Sequence, residues 1–169
     1  ALMHKAITIL QFKVEAAIIK RHPEWNMEDR LLLEHINFKN GTCNIGGKDY
    51  EMTDTFFPTI NPDNPCELTP EEETLMKRLR HSFTVNEKLH KHMRLMLSHG
   101  SLYTIINDNL LFHASIPLND DGSLKQVALF GGKSYKGREL MNHTEQIIRS
   151  AFQNDSDPQE KDYAIDYFL

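Results

Sequence analysis

The stretch Asn109-Leu110-Leu111-Phe112-His113-Ala114-Ser115-Ile116-Pro117-Leu118 decides the reading of this chain. An apolar strand delivers one histidine to its end and then turns on a proline, which cannot continue a ladder. Just upstream, Leu102 to Ile106 reads as a partner strand, and Asn107-Asp108 between the two runs supplies a tight turn. The spacing predicts a rigid hairpin with His113 at the mouth of a sheet, where open sheets present metal ligands and catalytic groups. A single histidine beside an apolar run is most often a hydrogen-bonded structural residue, so the surrounding segments decide what it does.

Working back from the hairpin, Gly100 marks a helix stop. Val85, Leu89, Met93 and Leu97 fall on one helical face, and Thr84 to Glu87 has the spacing of a capping box. A second such box, Thr69-Pro70-Glu71-Glu72, puts proline at the first helical position, so two helices or one bent helix fill residues 70–98. Pro58, Pro62 and Pro65 make residues 57–68 an extended connector, too apolar at Phe56, Phe57 and Ile60 to be a free linker. Thr42 to Ile45, Gly46-Gly47 and Asp49 to Met52 read as a small hairpin. Asn26 is placed to cap a short helix through Ile36, with Glu28 and Asp29 in its first turn. From Leu2 to about Arg21, Met3, Ile7, Leu10, Val14, Ala17 and Ile18 recur at helical spacing, with Ile9, Phe12, Ala16 and Ile19 widening the apolar surface beyond one face. Pro23 ends that helix.

Downstream of the hairpin, Asn119-Asp120-Asp121-Gly122 is a polar turn and Gln126 to Phe130 a further strand. Leu140, Thr144, Ile147, Ile148 and Ala151 define an amphipathic helix, and Asp157-Pro158-Gln159-Glu160 opens a last one. No internal repeat or low-complexity tract is present.

At 169 residues and 40% hydrophobic content the chain can bury one sizeable core. A net charge of −5 argues against nucleic acid or an anionic membrane as partner, since both reward an excess of Lys and Arg. Cys43 and Cys66 lack metal-type spacing and are too few for a disulfide framework, which makes a reducing cytoplasm the default. No apolar run of about 20 residues predicts a membrane span. The ends, Ala1-Leu2-Met3 inside a helical pattern and Phe168-Leu169 without a cap, suggest an excised segment of a larger protein.

The segments Lys20-Arg21-His22-Pro23-Glu24, Asn26-Met27-Glu28-Asp29-Arg30-Leu31-Leu32-Leu33, Phe57-Pro58-Thr59-Ile60, Lys91-His92-Met93-Arg94, Gly100-Ser101-Leu102-Tyr103 and Leu111 to Asn119 together resemble the class III fructose-1,6-bisphosphatases of bacteria, in order and over almost the whole length. Those enzymes are calcineurin-like metallophosphoesterases. Their two-metal centre is built from D-x-H, G-D-x-x-D-R-G, G-N-H-D/E, a strand-end H-G and a late G-H motif. Only the strand-end motif is found here. His113 matches its metal-binding histidine, although the relatives read His-Gly where this chain has His113-Ala114, a methyl in place of a hydrogen.

The resemblance implies a divalent metal, Mn²⁺ being expected, in a site completed by parts of the protein absent here. Imidazole suits Mn²⁺, Fe or Zn²⁺ as one ligand among carboxylates. Lys88, Lys91 and Arg94 form one helical stripe with Lys77, Arg78 and Arg80 upstream. A solvated surface is the ordinary reading, but Lys91 and Arg94 lie inside a family-like segment and are weak candidates for binding a substrate or effector phosphate. His90, His92 and His99 read as helix-surface residues, and Asn119 to Gly122 lacks the ligand ladder of a calcium loop. No residue is assigned as catalytic.

The expected fold is therefore α+β: a helix-rich segment plus β-hairpins forming part of a calcineurin-like metallophosphoesterase α/β/β/α sandwich. Residues 1–169 are expected to be one fragment of the larger catalytic protein, 1–100 mainly helical with a small hairpin and 101–169 strands followed by helices. The implied reaction is hydrolysis of fructose 1,6-bisphosphate to fructose 6-phosphate and phosphate in gluconeogenesis, with the fragment alone inactive. Its expected partners are the sugar bisphosphate, the rest of the parent polypeptide and a possible second copy. The competing readings are a non-catalytic helical regulatory or assembly module, to which residues 2–19 would lend an interface, and a metallophosphoesterase acting on another phosphoester.

Overall fold

Twenty residues free of glycine and proline form α1 (Leu2–Arg21). The computed structural model describes residues 2–113, 115–153 and 157–168, and the chain divides after Val85 into two compact units, 1–85 and 86–169. The inner line of α1 is Ile9, Lys13, Ala16 and Ile19. Spacing favours Met3, Ile7, Leu10, Val14, Ala17 and Ile18, yet Met3 and Ile7 stay 74% and 57% exposed. Apolar residues cover most of this helix's circumference, so periodicity selects no face.

After Pro23 the expected helix from Asn26 is replaced by two 3-10 turns, Pro23–Trp25 and Glu28–Arg30. Asn26 has φ 51° and closes the first turn, its N–H donating to Pro23 O, rather than capping a helix of its own. Leu31 and Leu33 are both buried, a two-residue period that an α-helix would send to opposite sides. Strands β1 (Ile36–Asn37), β2 (Thr42–Ile45) and β3 (Lys48–Glu51) form an antiparallel sheet in that order. Its β2–β3 hairpin turns on Gly46 and Gly47, whose φ values of 60° and 80° suit glycine. Ile9, Ala16, Ile19, Leu31, Leu33, Ile60 and Cys66 make the first core, with Phe38 and Phe57 meeting edge to face beside it. The connector is thus packed through Phe57 and Ile60, whereas Phe56, of the same apolar set, stays 68% exposed.

Helix α2 (Pro70–Thr84) starts on the predicted capping box, the Thr69 hydroxyl accepting from Glu72 N at 3.2 Å while the Glu72 carboxylate accepts from Thr69 N at 2.9 Å. The same carboxylate oxygen receives Lys13 Nζ at 2.7 Å, and Lys13, fully buried, also donates to Thr59 O at 2.7 Å. Burial works against the charge on Glu72, but hydrogen bonds from Lys13, the Thr69 backbone and Thr59, with the Lys13 charge, hold its carboxyl below the usual glutamate value.

In the second unit α3 (Glu87–His99) is capped by Asn86, which accepts from Leu89 N at 2.9 Å. The box expected at Thr84 does not form, because the Thr84 hydroxyl donates back to His81 O and finishes α2. Strands β4 (Tyr103–Ile106) and β5 (Asn109–Phe112) pair antiparallel across Asn107 and Asp108, whose φ values of 50° and 61° make the tight turn that the sequence predicts. The strand expected over 126–130 shrinks to β6 (Val127–Ala128), paired with β7 (Ser134–Tyr135). Gly131 and Gly132 turn the chain back there, with Leu129 N donating to Lys133 O. Helices α4 (Gly137–Gln153) and α5 (Pro158–Phe168) close the unit over Leu129, Leu140, Ile147 and Ala164. The architecture is α+β, and no helix among the described residues is long and apolar enough to cross a membrane.

Breaking a buried pair leaves its partner uncompensated. Lys13→Met should therefore lower the unfolding free energy by about 3 kcal/mol, read from the urea midpoint, and Glu72→Gln, which keeps an oxygen for Thr69 N–H, should cost less. The depressed Glu72 means that the unfolded chain binds more protons on the acid side. Its stabilisation is complete above the ordinary glutamate value of 4.5 and is lost as pH falls through the lower folded-state value. Acid titration of the urea midpoint should show this loss in the parent chain and a smaller one in Lys13→Met.

Candidate functional site

His113 directly follows β5, and its side chain is exposed. The pairing of Tyr103 with Phe112 is the last of the hairpin ladder, and Leu102 and His113 flank it just outside the two strands. The left-handed Asn107-Asp108 turn closes the other end, leaving the ribbon little freedom to slip. Ala114 lies outside the described residues, so its methyl group is not placed.

The base of this hairpin is tied to α4 by polar contacts. The Ser101 hydroxyl donates to Glu145 Oε2 at 2.8 Å and Leu102 N donates to the same oxygen at 3.2 Å. Arg149 donates through Nη2 and Nε to Glu145 Oε1 at 2.6 and 3.1 Å, and through Nη2 to Gly100 O at 2.7 Å. The Tyr103 hydroxyl donates to Asn142 Oδ1 and accepts from Arg138 Nε, each at 2.9 Å. Burial disfavours the Glu145 charge, yet hydrogen bonds from Arg149, Ser101 and Leu102, with the Arg149 charge, keep its carboxyl below the usual range. Gly100 fits because a Cβ there would lie 2.3 Å from Met96 O. Ser101, Tyr103, Asn142, Glu145, Gln146, Arg149 and Ser150 line a shallow polar cleft of about 490 Å³ beside the hairpin.

Lys91 and Arg94 are exposed on α3 in the same unit as His113. Among the described residues neither side chain makes a hydrogen bond or ion pair, and none links either of them to His113. His99 Nδ1 contacts the Ser98 hydroxyl at 2.7 Å, an ordinary helix-end arrangement. Asn119 to Gly122 is a turn whose side chains are used locally, Asn119 donating to Ser123 and Asp121 accepting from Ser123 N.

An exposed strand-end imidazole suits one position in a metal's coordination shell. Among the described residues no group of three or more His, Cys, Asp or Glu side chains could hold a metal, so the remaining ligands would have to come from elsewhere. The residues that spacing did not single out are Ser101, Tyr103, Arg138, Asn142, Glu145 and Arg149. Ser101 and Tyr103 lie in a family-like segment but spacing gives them no role, and the Glu145/Arg149 i,i+4 pair looks like common helix-surface decoration.

The family model described as Firmicute fructose-1,6-bisphosphatase matches residues 1–169. Fructose-1,6-bisphosphatase class 3 of Parabacteroides distasonis is 50% identical over 167 residues, covering 99% of this chain and 25% of the relative. The proteins of the same description from Phocaeicola vulgatus and Alkaliphilus metalliredigens are 49% and 47% identical, each over 98% of this chain and 25% of their own length. The chain thus spans about a quarter of the length of the curated relatives it matches. No solved structure matches it.

Exposed, unpaired side chains seldom contribute to folding. Lys91→Ala and Arg94→Ala should each leave the unfolding free energy, read from the urea midpoint, within about 0.5 kcal/mol of the parent.

Proposed function

Because the chain belongs to the Firmicute fructose-1,6-bisphosphatase family, we propose that it is a segment of a larger bacterial enzyme that hydrolyses the 1-phosphate of fructose 1,6-bisphosphate in gluconeogenesis. The observation that carries this is a match running from end to end of the chain, with relatives about half identical over nearly all of it. The relatives' description favours the sugar bisphosphate over a phosphoprotein or nucleotide. The hairpin and flanking helices would form part of a calcineurin-like α/β/β/α sandwich completed by the rest of the polypeptide, working in the cytoplasm.

His113 would contribute one imidazole ligand to a divalent-metal centre, Mn²⁺ by preference. When bound, paired cations of that kind activate a water and neutralise phosphoryl oxygens in an in-line displacement. The chain's own share is to hold the imidazole on a stiff two-stranded support whose far end is locked by the Asn107-Asp108 turn. Lys91 and Arg94 would present positive charge to a phosphate of the substrate or of an effector. The exposed Leu2, Met3 and Ile7 on α1 would be covered by the remaining polypeptide, or by a second copy if the enzyme is oligomeric.

In the full-length enzyme, His113→Ala should reduce bound Mn²⁺ and lower turnover by orders of magnitude, while the melting temperature changes little because the side chain is exposed. His113→Gln, similar in bulk, should fail likewise. Normal metal content and turnover in either variant would make His113 structural. The 169-residue segment by itself should release no phosphate from fructose 1,6-bisphosphate, as it offers one metal-type ligand out of a set.

A further inference from the structure

The hairpin that carries His113 adds no residue to the second core, which consists of Leu129, Leu140, Ile147 and Ala164 with Val127, Tyr135 and Ala151 against it. Ile105, Leu110 and Phe112 remain 54%, 48% and 43% exposed. Apolar packing within this unit therefore does little to orient the ribbon. A set of polar ties to one helix fastens it instead. Gly100, Ser101, Leu102 and Tyr103, four consecutive residues leading into and opening β4, each bond to a side chain of α4. That helix is in turn seated in the core by Leu140 and Ile147. Glu145 stands at the centre, since one carboxylate oxygen takes Ser101 and Leu102 and the other takes Arg149, whose guanidinium continues to Gly100 O.

Leu102, held by Glu145 through its N–H, immediately precedes Tyr103, and Tyr103 pairs with Phe112, the residue before His113. A change at Glu145 thus reaches His113 through the Tyr103–Phe112 pair that ends the ladder. We propose that Glu145 and Arg149 are positioning residues that set where the His113 imidazole stands, and so govern metal affinity without touching the metal. This inference rests on the reading of His113 as a metal ligand. Tyr103, bridging Asn142 and Arg138, is the secondary tie.

The test uses the full-length enzyme and Mn²⁺ alone as probe, with affinity from titration calorimetry and backbone order from hydrogen exchange at residues 101–113. Glu145→Ala should weaken Mn²⁺ about 10-fold, the scale of losses when a ligand's support is removed, and speed exchange in the hairpin. Glu145→Gln keeps an oxygen for Leu102 N–H and the Ser101 hydroxyl, and should recover much of both. Wild-type Mn²⁺ affinity in Glu145→Ala, beside a clear loss in His113→Ala, would overturn the positioning role and leave the ligand reading intact. Unchanged affinity in His113→Ala would overturn the ligand reading, and this proposal with it. If Glu145→Ala fails to fold, Arg149→Met decides: a fall in affinity at an unchanged melting temperature supports the proposal, and unaltered affinity refutes it.

Discussion

The ammonium of Lys13, buried completely in the inner line of α1, is the constraint on which the first unit turns. Hydrophobic burial rewards area and has no preferred direction, and α1 is apolar around so much of its circumference that several rotations about its axis would bury comparable area. Only one of them delivers Lys13 Nζ to both Thr59 O and Glu72. Because Glu72 is also the reciprocal half of the α2 capping box, one contact sets the rotation of α1, the path of the connector at Thr59 and the first turn of α2. Burying the pair costs desolvation of both charges, which the added hydrogen bonds from Thr69 and to Thr59 offset. Its value is in singling out one packing from several.

The second unit solves the same problem with the polar contacts on the outside. Its core joins α4, α5 and the β6–β7 ribbon, and α4 then holds the β4–β5 hairpin through Glu145, Arg149, Tyr103 and Asn142. A hairpin held mainly by hydrogen bonds at its base keeps its length free. One face carries Tyr103, Ile105, Leu110 and Phe112 by the cross-strand register, a composition suited to burial in a larger sheet. That fits a chain spanning a quarter of its relatives' length.

Where local chemistry decides, the sequence was legible. The Thr69 capping box, the Gly46-Gly47 and Asn107-Asp108 turns and the α4 stripe of Leu140 and Ile147 all arise from residues within a turn or two of each other. The misreadings share a cause, which is that the deciding partner is distant or the signal ambiguous. Asn26 has the side chain of a helix cap, but the Leu31 and Leu33 pair needs both residues inward, and 3-10 turns allow what an α-helix forbids. Thr84 and Asn86 are both competent caps two residues apart, and the hydroxyl of Thr84 had a nearer carbonyl in His81. Lys13 was invisible as a core residue because its partners lie 46 and 59 positions away. The site divides the same way: His113 stands out by its place after an apolar run, whereas Glu145 is 43 residues from the Leu102 amide it holds.

About half of the positions are shared with relatives over almost the whole chain, while the residues argued to face metal or phosphate number three, His113, Lys91 and Arg94. Most of this chain's residues with a defined role serve folding: caps, turns, the buried pair and the cores. Two-metal phosphoester chemistry needs ligands converging from several strand ends and loops, and no single quarter of a chain has to contain them. A segment can thus belong to its family through the scaffold that it builds. What this scaffold provides at His113, taken as the proposed metal ligand, is accuracy of placement, since an imidazole on a ribbon locked by a left-handed turn at one end and bolted to a helix at the other has few positions to choose from.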